Sequence, residues 1–258
     1  MSAQLEHLVV EQTEDLLRVR INRPDKRNAL SRAVLSELAA AFSRHTGDTS
    51  LKAAVLTGAG AKAFAAGGDL REFAALRSEQ DAAKLFSDAH RALEQVRRFP
   101  VPVIAALNGL AVGGGAELAL ACDFRVAAAH ATLGFVHGRL NISTGFGGGA
   151  DLMRLLGASR GLLCALRAEV LSAADARSAG LVDEVAAEGE SLEQCVMRFL
   201  EPIRRQVPQV IRSYKAMALA EREGMDTEQR FRTELAGFVE TWTHADHWAA
   251  AGRVLAKS

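Results

Sequence analysis

An apolar segment that ends in three consecutive glycines constrains the fold of this chain more than any other feature. It reads Val101-Pro-Val-Ile-Ala-Ala-Leu-Asn-Gly-Leu-Ala-Val-Gly-Gly-Gly-Ala-Glu-Leu-Ala-Leu-Ala121. The first part is typical of a buried strand, and a helix-forming sequence with Glu117 in its first turn follows the glycines. Pro102, Asn108 and Glu117 argue against a membrane span. The sequence therefore predicts a buried strand, a glycine turn and a core helix.

Glycines at such a turn favour the close approach of a ligand to the backbone. They carry no Cβ, and the first N–H groups of the following helix are free to bind an anion or an oxygen that becomes anionic. A second segment, Ala66-Gly67-Gly68-Asp69, also leads into a helix-forming sequence. Each segment alone is consistent with an ordinary turn. Two of them can supply the two donors of an oxyanion hole.

The order of the remaining patterns favours an α/β core followed by a helical region. Ser31 is expected to cap the first helix, a second helix is expected to end before Pro100, and the sequence from Ser191 onward is mostly helical. We predict a core over residues 1–195 and a helical, oligomerisation region over residues 196–258. Strands are predicted at residues 16–21, 53–57, 103–107, 124–126 and 181–185.

Composition excludes some function classes. The chain has 258 residues, with 31 Lys and Arg balanced by 31 Asp and Glu, so no net charge attracts it to nucleic acid or to an anionic membrane. The N-terminus lacks a basic segment followed by an apolar one, so we expect no secretory signal. Three widely spaced cysteines, Cys122, Cys164 and Cys195, match no metal-ligand pattern and indicate reduced core thiols in a cytoplasmic protein.

The sequence does not favour a dinucleotide-binding site or a metal site. Gly58-Ala-Gly60 follows a strand, but Ala63 stands where the dinucleotide fingerprint needs its third glycine. His244 and His247 have helical spacing beside Trp242 and Trp248, and packed or interfacial aromatics explain them better than a metal site. We therefore predict no metal and no redox cofactor.

The motifs together resemble those of the enoyl-CoA hydratase/isomerase, or crotonase, superfamily. The resemblance implies a crotonase-like spiral of ββα units, an acyl-CoA substrate and a homotrimer or dimer of trimers. Coenzyme A then enters only as part of the substrate. The matching segments are Asn22-Arg-Pro-Asp-Lys-Arg-Asn-Ala-Leu30, Phe64-Ala-Ala-Gly-Gly-Asp-Leu70, Asn108-Gly-Leu-Ala-Val-Gly-Gly-Gly-Ala-Glu-Leu118, Ala121-Cys-Asp-Phe124 and Ala173-Ala-Asp-Ala-Arg-Ser-Ala-Gly-Leu181.

The resemblance also implies roles for individual residues. The backbone N–H groups of Gly68 and Gly114 correspond to those that hold the thioester oxygen, although a hydratase usually has alanine at the first position. Glu117 matches one of the two glutamates of hydratases, and His137 stands where the second would be. Lys26 and Arg27 suit the coenzyme A phosphates, or are simply surface charges. Further substrate-binding positions are Ala29, Ala66, Gly67, Asp69, Gly113 and Gly145.

The histidine at position 137 puts ordinary hydration in doubt. The segments around Glu117 and His137 look closer to the ethylmalonyl-CoA/methylmalonyl-CoA decarboxylase branch, so our first interpretation is decarboxylation of a 2-carboxyacyl-CoA. Glu117 is awkward there, because two carboxylates repel each other unless one is protonated. The alternative is hydration of a 2-enoyl-CoA, with Glu117 as base toward water and His137 as its acid partner. A purely structural His137 is the third possibility.

Overall fold

The strands of this protein form two sheets in the computed structural model, which describes residues 2–256. In chain order they are β1 (Ser2–Gln4), β2 (Leu8–Thr13), β3 (Leu16–Ile21), β4 (Ala53–Gly58), β5 (Ala63–Ala65), β6 (Val103–Leu107), β7 (Leu110–Val112), β8 (Phe124–Ala127), β9 (Thr132–Gly134), β10 (Leu171–Ser172) and β11 (Glu184–Val185). Among the described residues, the helices are α1 (Arg32–His45), α2 (Leu70–Phe73), α3 (Glu79–Arg97), α4 (Gly114–Ala121), α5 (Gly148–Leu156), α6 (Ala158–Arg167), α7 (Ala173–Ser178), α8 (Leu192–Arg204), α9 (Pro208–Arg222), α10 (Thr227–Thr243) and α11 (Ala245–Leu255).

The sheet topology confirms the spiral of ββα units. The larger sheet has the order β1-β2-β3-β4-β6-β8-β11, and the smaller one has the order β10-β9-β7-β5. Each turn of the spiral places one strand in the larger sheet, the next in the smaller sheet, and then a helix: β4 with β5, β6 with β7, and β8 with β9. Neighbouring turns pair in parallel, so equivalent loops are stacked on one another.

Both faces of the larger sheet are buried. Along β6, Val103, Ala105 and Leu107 face the main core beneath the smaller sheet, whereas Ile104 and Ala106 face a second cluster. Helix α8 covers that second cluster with Cys195, Val196 and Leu200. A strand that is covered on both sides needs apolar residues throughout, which explains the continuous apolar run that precedes the glycines.

Local signals in the sequence place several elements correctly. The Ser31 hydroxyl accepts a hydrogen bond from the Val34 amide at the start of α1, and Ser172 caps α7 in the same way. The segment 181–185 was expected to be a strand, but only Glu184–Val185 pairs with β8. Its first residues, Leu181 and Val182, instead close α7 by donating to the Ala176 carbonyl.

The C-terminal third is helical, with Pro202 inside α8 and Pro208 in the first turn of α9. The predicted boundary between residues 195 and 196 lies within α8, and that helix packs on the sheet as far as Leu200. The division into two regions stays a prediction, but sheet packing extends past the boundary. None of the helices in residues 2–256 combines the length and the apolarity that crossing a membrane requires.

Candidate active site

The two glycine segments lie side by side at the carboxyl ends of two neighbouring strands of the smaller sheet. Strands β5 and β7 are parallel neighbours, so the loops that follow them lie side by side. A Cβ built on Gly67 would lie 3.6 Å from the Gly114 amide nitrogen and 3.2 Å from the Val112 carbonyl oxygen. Gly67 and Gly113 have φ values of 95° and 55°, a backbone conformation that favours glycine. The structure therefore places Gly68 and Gly114 close together.

Backbone pairing leaves the amides of both glycines available to a ligand. Leu30 pairs in parallel with Gly68 by donating to the Gly67 carbonyl and accepting from the Asp69 amide. In a parallel bridge of this kind, the N–H of Gly68 itself points away from Leu30. Gly114 is the first residue of α4, where an N–H has no acceptor within the helix. Both glycines line the same cavity, so the arrangement suits an oxyanion hole.

Glu117 lies in the first turn of α4 and is 1% exposed. Its Oε1 accepts a hydrogen bond from the Gly145 amide at 3.1 Å, and its Oε2 accepts from the amides of Phe146 and Gly148, each at 2.8 Å. Gly148 begins α5, so the positive end of that helix faces the carboxylate. Three main-chain donors match the acceptor-only chemistry of an ionised carboxylate.

His137 completes the polar centre of the cavity. Its Nε2 lies 2.9 Å from Glu117 Oε1, and the ring is buried at the start of the 3₁₀ turn His137–Leu140. The other ring nitrogen, Nδ1, is buried without a hydrogen-bond partner in the structure. The contact places a buried carboxylate and an imidazole side by side in the cavity, an arrangement that suits proton transfer.

The loop that holds Glu117 is itself fixed by a buried ion pair. Arg97, at the end of α3, bonds Asp151 of α5 through Nη2 at 2.7 Å and Nε at 2.8 Å. The same guanidinium donates to the Phe146 carbonyl at 3.3 Å. Because Phe146 and Gly148 bond Glu117, Arg97 positions the carboxylate through this loop.

The cavity has a volume of about 720 Å³, and Glu117 and His137 are among the residues that line it. Eight predicted site residues line it: Ala66, Gly67, Gly68, Gly113, Gly114, Glu117, His137 and Gly145. Thr144, Gly145 and Phe146, from the segment that precedes α5, form part of its wall.

Four other predicted residues do not line this cavity. Lys26 and Arg27 are exposed on the loop beside it, where the Arg27 carbonyl accepts from the Ala66 amide at 3.1 Å. The carbonyl of Ala29 accepts a hydrogen bond from Arg23 at 2.7 Å. Asp69 caps α2 and pairs with Arg23 at 3.1 Å, and these bonds keep its pKa below the ordinary value although burial opposes them. Contact of these four residues with substrate stays a prediction.

Several site residues carry no signal in the sequence. Phe73 flanks Gly68, since a Cβ built on that glycine would lie 2.7 Å from its ring. Leu85 and Phe86 of α3 also line the cavity, although the helix looks like an ordinary amphipathic one. Long-range packing brings all of them to the site.

Among the described residues, the three cysteines lie outside the lining of the cavity. Burial raises the pKa of Cys122 to about 12 and that of Cys195 to about 11, so both thiols stay protonated near neutrality, in line with core cysteines. Within residues 2–256, the one group of side chains spaced for a metal ion is Glu6, His7 and Glu37. None of these three lines the cavity. The expected lack of a metal stays a prediction.

Comparison with known proteins identifies the family. The family model described as enoyl-CoA hydratase/isomerase matches residues 11–253. The chain belongs to the enoyl-CoA hydratase/isomerase family. It is 35% identical to a crotonyl-CoA hydratase of Syntrophomonas wolfei, over 86% of this chain and 84% of that protein. It is 34% identical to a 2,3-dehydroadipyl-CoA hydratase of Escherichia coli, over 90% and 91%.

Solved structures agree with this assignment. An enoyl-CoA hydratase from Bacillus anthracis superposes with a TM-score of 0.89 at 32% identity, covering 98% of this chain and 97% of that one. An enoyl-CoA hydratase/carnitine racemase from Magnetospirillum magneticum gives a TM-score of 0.90 at 29% identity, covering 98% and 94%. Membership of this enoyl-CoA hydratase/isomerase family makes a coenzyme A thioester the expected kind of substrate.

Proposed function

We propose that this family member is an enoyl-CoA hydratase, which adds water across the double bond of a 2-enoyl-CoA. The observation that carries the proposal is the contact of 2.9 Å between Glu117 and His137 in the cavity that Gly68 and Gly114 also line. The names of the relatives, crotonyl-CoA hydratase and 2,3-dehydroadipyl-CoA hydratase among them, support the same choice.

The chemistry assigns one task to each group. The amides of Gly68 and Gly114 hold the thioester oxygen and stabilise the enolate that forms when the oxygen of water attacks C3. Glu117 takes the proton that this water loses, and His137 in its imidazolium form supplies the proton that C2 gains. Their shared hydrogen bond then carries the proton from Glu117 back to His137, so one water is consumed and the enzyme is restored.

Hydration fits the site better than the decarboxylation that the sequence first suggested. A 2-carboxyacyl substrate would bring a second carboxylate next to Glu117, and two anions at short range repel each other. Within the described part of the chain, neither Lys nor Arg lines the cavity to offset that charge. Among the described residues that line the cavity, Glu117 and His137 are the titratable ones, and pairing His137 with a substrate carboxylate would take it away from Glu117.

A product assay with three thioesters tests the proposal. We expect crotonyl-CoA to lose its conjugated ultraviolet absorbance and to gain the mass of one water. Methylmalonyl-CoA and ethylmalonyl-CoA are expected to release no CO2 above the rate without enzyme. Release of CO2 from either one, with crotonyl-CoA left unchanged, would overturn hydration in favour of decarboxylation.

The glycine at position 68 gives a second prediction. The φ of Gly68 is not in the left-handed region, so alanine is compatible with the backbone, but its Cβ would lie 2.7 Å from the Phe73 ring. In Gly68→Ala, the ring or the amide has to shift, and we expect kcat/KM for crotonyl-CoA to fall about tenfold to a hundredfold. Adding Phe73→Leu to this variant should recover a large part of the loss.

The matched control is Gly47→Ala, because a Cβ at Gly47 meets nothing within 4 Å. Steady-state kinetics and melting temperature are compared for the parent enzyme, the two single variants and the double variant. Full activity of Gly68→Ala with Phe73 intact would show that the ring does not constrain the oxyanion hole.

A further inference from the structure

Resting on the proposed hydratase function, we infer that the preferred substrates carry an uncharged alkyl chain longer than that of crotonyl-CoA. The chain would lie between α3 and the segment around the 3₁₀ turn His137–Leu140. The inference concerns the part of the cavity beyond the glycines and the Glu117–His137 pair.

This outer part of the cavity has an apolar wall. Leu85 and Phe86 of α3, Leu140 and Ile142 of the segment after β9, and Phe73 of α2 line it, and Phe73 lies next to Gly68. Phe86, Leu140 and Ile142 are 45%, 52% and 56% exposed, so they present apolar surface to the cavity and its mouth. The surface is continuous with the site that would hold the thioester, and the alkyl tail of that thioester is the occupant to which we commit.

The lack of charged partners among the described residues of the wall favours an uncharged alkyl chain over an acyl chain that ends in a carboxylate. A carboxylate at the far end of an acyl chain has to be paired or remain in water, because burying it unpaired is very costly. The hydroxyl-bearing residues Ser143 and Thr144 are the remaining polar side chains of the wall in the described structure. Two arginines near the wall have other partners: Arg139 donates to the Ala168 carbonyl and Arg77 to the Ala74 carbonyl.

The same apolar surface favours acyl chains longer than that of crotonyl-CoA. Each methylene that moves from water onto apolar side chains favours the complex about fourfold. A cavity of about 720 Å³ leaves room beyond the four carbons of crotonate. Longer alkyl chains therefore gain kcat/KM until they extend past Leu140 and Ile142.

Two pairs of substrates separate charge from length. 2-Hexenoyl-CoA and 2,3-dehydroadipyl-CoA have the same number of acyl carbons and differ in the terminal carboxylate. We expect kcat/KM to be about a hundredfold higher for the hexenoyl thioester. We also expect 2-octenoyl-CoA to exceed crotonyl-CoA by about tenfold or more.

A positive charge placed in the wall should reverse the preference for 2-hexenoyl-CoA over 2,3-dehydroadipyl-CoA. Leu140 is half exposed, so Leu140→Arg is expected to fold, to raise hydration of 2,3-dehydroadipyl-CoA and to lower that of 2-hexenoyl-CoA. The control is Leu166→Arg, an exposed leucine of α6 outside this cavity, which should leave the ratio unchanged.

The outcomes distinguish this inference from the function on which it rests. If no thioester is hydrated, the hydratase proposal fails. If the parent enzyme hydrates crotonyl-CoA or 2,3-dehydroadipyl-CoA as well as the longer alkyl thioesters, the hydratase stands and the alkyl preference is wrong. If Leu140→Arg changes the mass of the assembly in light scattering and not the substrate ratio, the wall is covered by another copy of the chain and the inference is also wrong.

Discussion

Replacing Glu117 with glutamine should lower kcat for hydration of crotonyl-CoA by about a thousandfold. The amide cannot take a proton from water. It also places an NH2 group where the structure requires an acceptor, because both Glu117 oxygens accept main-chain hydrogen bonds. We therefore expect a loss of about 1–3 kcal/mol in the free energy of unfolding as well.

The two effects are separable by binding. Butyryl-CoA, which lacks the double bond, should bind Glu117→Gln with nearly the affinity of the parent enzyme, as measured by calorimetry. His137→Ala provides the comparison: it removes the partner of Glu117 and should also lower turnover more than binding. Unchanged turnover in His137→Ala would remove the histidine from the mechanism and leave Glu117 to act alone.

Replacing Gly115 with alanine should have the largest structural effect in the site. Its Cβ would lie 2.0 Å from the Ala65 carbonyl oxygen, a backbone atom that cannot turn aside as a flexible side chain can. Relief requires α4 to move away from β5, which separates Gly114 from Gly68. We expect the free energy of unfolding to fall by about 3 kcal/mol. Activity of the folded fraction should fall about a hundredfold, because the two donors no longer converge.

Gly252→Ala is the matched control for this change. A Cβ at Gly252 meets nothing within 4 Å, and the residue lies inside α11, where alanine favours the helix. Denaturant unfolding and initial rates are measured on both variants. A Gly115→Ala enzyme with parental stability and rate would mean that α4 and β5 tolerate separation, and that the proposed oxyanion hole does not depend on their contact.

Much of the fold is readable from local patterns. Strand β3 and strand β6 agree residue for residue with the expectation, and Ser31 caps α1 as expected. These elements are bounded by prolines, glycines or capping residues, so their ends are encoded locally. The N-terminal strand β2 was not predicted, because its register depends on pairing with β3.

The site is only partly readable for the same reason. Glu117 and the glycines belong to short motifs, whereas Arg97 acts on the site from the far end of a helix through Phe146 and Asp151. The choice between hydration and decarboxylation depends on what surrounds Glu117 in space. The side chains that line the cavity around Glu117 come from α2, α3 and the segment after β9. The segment after β9 is far from the two helices in the sequence, so no motif or regular spacing predicts that they meet.

The hydrogen bonds to Glu117 restrict the access of a reactant water to this base. A carboxylate offers about four lone-pair directions, and the three amides and His137 Nε2 already use four. A reactant water can reach this base only by taking the place of a donor. Gly145 has the longest of the amide bonds and sits on the half-buried part of the loop. We therefore expect water to displace this amide, the most weakly held of the three, before it gives its proton to Glu117.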